Sequence, residues 1–138
     1  MAIMKSQSVL RKTIEVSVEK TRPSNTTAYT DEDVFSEAAS GGTAWTFDGV
    51  VPQAGAGGKI VKAMIACDDT NIVPVCSMYL TNVTPTGNLN DNADTKLPLL
   101  FVTAAGDDAL YGVLVIRSAA HTPTSAAKIT VTLTIEPD

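Results

Sequence analysis

Ile129-Thr130-Val131-Thr132-Leu133-Thr134-Ile135 alternates without a break: an aliphatic side chain stands at every odd position and a threonine at every even one. A period of two places the aliphatics on one side of an extended backbone and the threonines on the other. The stretch therefore predicts a β-strand with one buried face. Working back along the chain, Leu110-Tyr111-Gly112-Val113-Leu114-Val115-Ile116 is apolar on both faces. Such a strand is expected to be covered on both sides, by a second sheet and by something else. Thr13 opens another alternation, in which Ile14, Val16 and Val18 face one way and Glu15, Ser17 and Glu19 the other.

Shorter segments complete the pattern. Trp45 and Phe47 share a face of a strand expected to stop at Pro52. Residues 59–68 predict a long strand with Val61, Ala63, Ile65 and Cys67 on one face and Lys62 and Asp68 on the other. Asp69-Thr70-Asn71 is a turn signal, and residues 74–81 are expected to return as the second arm of a hairpin. Leu99-Leu100-Phe101-Val102 is a further short strand. Residues 30–39 read as a strand or an irregular segment, although Thr30 and Asp33 have the spacing of a capping box. Residues 82–98 form a long polar connection, of the kind that is functional, part of an interface or disordered. Seven or eight short strands with turn signals between them, and no convincing helix, predict an all-β, jelly-roll-like antiparallel β-sandwich. Residues 13–138 are assigned to this single domain and residues 1–12 to a flexible basic arm.

The 138 residues suffice for one domain with a real core. The net charge is -5 and is unevenly placed. Up to Arg22, five bases face Glu15 and Glu19, a local +3; beyond it five bases face thirteen acids, a local -8. The overall balance argues against nucleic-acid binding. A basic arm on an acidic body suits docking onto a complementary protein surface, and equally reads as a solvated terminus. The first residues lack the apolar core of a signal peptide, and no apolar run is long enough to span a bilayer. Cys67 and Cys76 lack metal-site spacing and are expected to be buried thiols.

No residue pattern points to catalysis. Gly55-Ala56-Gly57-Gly58-Lys59 lacks the first glycine of a phosphate loop, the hydroxyl after the lysine and the following helix, and is expected to be a hairpin turn. His121 is the only histidine and sits in a loop. Asp68-Asp69, Asp91 with Asp94, and Asp107-Asp108 could offer oxygen ligands to calcium, but none has EF-hand spacing, and aspartate is an ordinary turn residue. Trp45 and Tyr29 could stack a sugar, although core packing is the expected use. No catalytic, cofactor or metal residue is therefore assigned.

The order of Arg22 with Thr26-Thr27, then Tyr29-Thr-x-x-Asp33-Val34, then Trp45-Thr-Phe47, then a Gly-rich turn into Gly58-Lys59-Ile60-Val61-Lys62-Ala63, and last Gly87-Asn88-Leu89-Asn90-Asp91-Asn92-Ala93 resembles the cement, or head-decoration, proteins of tailed bacteriophages. The aromatic Trp45 departs from that pattern. The resemblance covers about residues 22–93. It implies a jelly-roll protein without an active site, assembled in the bacterial cytoplasm, that trimerises on the capsid exterior and binds the major capsid protein. Lys5, Arg11 and Lys12 of the arm, and Leu110, Leu114 and Ile116 of the doubly apolar strand, are the candidate contact residues. The alternatives are a tail or fibre ornament, a carbohydrate-binding module, or a hydrolase on a jelly roll.

Overall fold

The computed structural model describes residues 12–68, 76–85, 87, 89–91, 106–117 and 126–137. Two antiparallel sheets face each other across one core. The first has the order β1-β7-β4, from β1 (Ile14–Thr21), β7 (Lys128–Pro137) and β4 (Gly58–Cys67). The second is built on β6 (Leu110–Ile116). Along one edge of β6 runs β5 (Cys76–Thr81), paired from Cys76↔Ile116 to Thr81↔Tyr111. Along the other edge lie two short pieces end to end: β2 (Val34–Phe35) beside Val115 and Leu114, and β3 (Trp45–Phe47) beside Gly112 to Leu110. Among the described residues there is no helix, and so none long and apolar enough to cross a membrane.

The period-two strands behave as their patterns require. Ile129, Val131, Leu133 and Ile135 are fully buried and line the core side of β7. Leu110, Leu114 and Ile116 face them from β6, with Phe35, Trp45 and Phe47 filling the space between the sheets. The opposite face of β6 is also covered. Val113 and Val115 pack with Val34, Ala44 and Leu89, so the polar connection lays one leucine over the outside of the second sheet. Burying a large side chain of this kind contributes roughly 1.5–3 kcal/mol, which makes this shared interior the dominant stabilising term.

Three expectations need correction. Residues 59–68 and 74–81 do not form a hairpin: β4 belongs to the first sheet and β5 to the second, so the chain crosses between layers. The glycine turn is not a hairpin turn either. Ala56 N–H reaches Gln53 O at 3.0 Å and Gly55 adopts φ 77°, but β3 and β4, which flank it, lie in opposite sheets. Last, β3 ends at Phe47, and Val50 and Val51 join the core before Pro52. The segment containing Thr30 and Asp33 is a turn with Glu32 at φ 72°, followed by the two-residue β2. Its capping-box residues do bond, with Thr30 N–H donating to Asp33 Oδ2 at 2.6 Å, but no helix follows.

Candidate functional site

The inward parity of β1 does not stop at Val18. It continues through Lys20 and Arg22, so two cations enter the core side of a strand. Each requires compensation, because an isolated buried charge is prohibitive. Arg22, 1% exposed, meets Asp91 across the fold with Nη2 3.4 Å from Oδ2, and also donates to Asn25 Oδ1 at 2.9 Å and Thr27 O at 3.0 Å. Its guanidinium lies over the Tyr29 ring, 4.7 Å from the centroid, while Nε and Nη1 have no hydrogen-bond partner among the described residues. The other Asp91 oxygen accepts the Tyr29 hydroxyl and, at 3.1 Å, the Ser36 N–H. Burial pushes the Asp91 carboxyl above its usual range, against the pull of Tyr29, Ser36 and Arg22. Burial, and then the bond to Asp91, raises the Tyr29 hydroxyl well above its ordinary value. The cluster is a lock: it ties the end of β1, the turn before β2 and residue 91 into one unit.

Lys20 makes a second lock beside the first. Its Nζ donates to Glu37 Oε2 and to the carbonyl and hydroxyl of Thr43, and sits 5.7 Å from the Trp45 ring centroid. Burial works to raise the Glu37 carboxyl, but bonds from Lys20, Thr43, its own backbone N–H and Ser36 outweigh it and bring the group down to about 2. Together the locks alter the charge picture drawn from sequence. Of the five N-terminal bases, Lys20 and Arg22 are internal and paired, and only Lys12 is an exposed cation among the described residues. Lys5 and Arg11, with all of the arm before Lys12, lie outside those residues, as do His121, Asp94 and the strand expected at 99–102.

Leu110, Leu114 and Ile116 are not at a surface. Their neighbours in the same chain bury them to between 0% and 8% exposure, so the contact expected of them with another subunit is made within one chain. Trp45 and Tyr29 are equally internal, which removes the sugar-stacking platform. Asp68 Oδ1 accepts the Lys128 N–H and so ties the end of β4 to the start of β7, and Asp107 holds a turn by accepting the Ala109 N–H and the Tyr111 hydroxyl. After the glycine turn comes strand β4, not the helix a phosphate loop needs. Cys67 and Cys76 are half-buried thiols packed against the core and not joined in a disulfide. Burial, with the nearby Cys67, pushes Cys76 up to about 11.

The surface feature that stands out was not legible as such. Strand β4 is exposed along nearly its whole length, and Ile60, Val61, Met64 and Ile65 remain 37–51% accessible. A bulge at Val61 explains part of this: Ile60 pairs with Ile135, but Lys62 pairs with Thr134, so Val61 is left over. At the β4 start, Val50, Val51, Ala56, Ile60, Leu110 and Ile135 line an apolar pocket of about 60 Å³. That space takes an aliphatic side chain and is far below the few hundred Å³ of a small-molecule site. The exposed aliphatics of β4 fall on both of its faces: Ile60 and Ile65 share the rows of Ile135 and Val131, whereas Met64 shares the row of Thr132 on the other side.

No family model, curated protein or solved structure matches this chain.

Proposed function

We propose that this chain is a structural virion protein that binds the exterior of a tailed-bacteriophage head as a homo-oligomer, expected to be a trimer, and cements the major capsid protein lattice. The observation that carries the reading is the Arg22 lock. Arg22, Tyr29 and Asp91, which come from three separated parts of the motif order, meet in one buried cluster, and Asp33 and Trp45 lie in the segments around it. Residues of the motif order that lie far apart in the chain thus share one interior, which supports reading them as parts of one fold. A cement protein needs that kind of interior, together with surfaces that take hold of protein, and β4 supplies an apolar one. The reading assigns no reaction and no cofactor, and takes the winding of the sandwich as jelly-roll-like. Weak single contacts suffice for the task, because a lattice repeats them many times.

The test is mechanical. Heads assembled without this chain should release DNA at lower temperature, or after milder osmotic shock, than heads that carry it, and adding the purified chain back should restore them. Equal retention of DNA in both preparations would remove the proposal.

A further inference from the structure

The first sheet has two outer strands, β1 and β4, and both pair only with β7 among the described residues. Each is antiparallel to β7, so the two edges run in the same direction. Their registers against β7 fix which rows they share. Ile14 and Ile60 both pair with Ile135, Val16 and Ala63 with Leu133, and Val18 and Ile65 with Val131. On the outward face, Glu15 and Lys62 both pair with Thr134, and Ser17 and Met64 with Thr132. The two edges therefore match row by row. Half-buried aliphatics of β1 correspond to exposed aliphatics of β4 on the core side, and a carboxylate corresponds to an ammonium on the outer side.

We infer that β4 of one copy receives β1 of a second copy, extending the first sheet head to tail from chain to chain. This deepens the reading of the chain as a self-associating structural protein and rests on it. In register, Val18 of the incoming strand comes beside Ile65, Val16 beside Ala63, and Glu15 beside Lys62. Main-chain bonds supply affinity in such strand addition, and the side-chain rows supply selection. The bulge at Val61 and the lysines at 59 and 62 guard the edge against indiscriminate pairing, since a partner must bring a carboxylate to the Lys62 row. β1 brings Glu15 there; its neighbour Glu19 is already 3.3 Å from Lys128 of its own chain. The contact joins unlike surfaces, so it closes into a ring or runs on as a filament.

Charge reversal tests this on the full chain, with sedimentation over a concentration series as the readout. The unaltered protein is expected to associate. Glu15→Lys and Lys62→Glu, both at exposed positions, should each weaken association by about tenfold or more, because like charges then face each other. The double variant should recover most of the loss. A monomer at every concentration overturns the inference, as does a Glu15→Lys variant that associates normally, which would point to β4 pairing with itself or with a foreign strand. Binding of the same samples to capsid shells separates this inference from the functional proposal. A monomer that still coats shells sinks only the edge pairing, and an oligomer that ignores shells sinks only the decoration reading.

Discussion

At the scale of single residues, the interior is held by two cations that a composition count would place outside. Arg22→Leu leaves the Asp91 carboxylate buried without its counter-charge, and should cost about 3–5 kcal/mol in a denaturant titration. Adding Asp91→Leu should recover part of that loss, since the second change removes the stranded charge. Glu37 sets the acid behaviour. Its carboxyl is held at about 2 in the folded chain against an ordinary 4.5, so folding favours the charged form. The stability it adds is complete above about pH 4.5 and is lost as pH falls toward 2. Glu37→Gln should flatten that limb of a plot of urea midpoint against pH. Cys76 offers a chemical check. With its thiol near 11 rather than 9, alkylation at pH 8 should be about a hundredfold slower in the native chain than in urea, as followed by mass spectrometry. Two further steps of the Ile14, Val16 and Val18 alternation reach Lys20 and Arg22, but Pro23, Ser24 and Asn25 make residues 20–30 read as a loop, and β1 in fact runs on to Thr21. Which acids would meet them was hidden, because Asp91 lies 69 positions from Arg22 and no local pattern encodes so distant a partner.

At the scale of elements, periodicity identified the strands and misled about their neighbours. β1, β6 and β7 carry unambiguous side-chain patterns, and each is a strand with the expected face inward. A short connection usually means pairing, and for that reason residues 59–68 and 74–81 read as a hairpin. Sequence proximity cannot tell a turn within a sheet from a crossing between sheets, and here the chain crosses. The exposure of β4 was illegible for a related reason: a bulge and an edge position, neither of which changes hydropathy, leave its aliphatics uncovered. Gly112 shows why β6 tolerates neighbours so close. A side chain there would meet Met78 Sδ at 2.8 Å and both Leu80 and the Tyr79 carbonyl at 3.2 Å. Gly112→Val should therefore destabilise by about 1–3 kcal/mol through overpacking, measurable as a lower Tm with an unchanged cooperative transition.

At the scale of the whole molecule, the chain combines a closely packed interior with one exposed outer strand, β4. Both sheets contribute to one core, and Arg22, Tyr29 and Asp91 are locked together beside it. β4 keeps Ile60, Val61, Met64 and Ile65 exposed, and the proposed contacts with other protein molecules would cover them. The most direct measurement is binding of the purified chain to expanded phage heads assembled without it, read by co-sedimentation. The account predicts saturable binding at a fixed number of copies per head, weakened when Ile60, Met64 and Ile65 of β4 are replaced by serine in a chain that still unfolds cooperatively. Heads that pellet free of the unaltered protein at saturating concentration would contradict it.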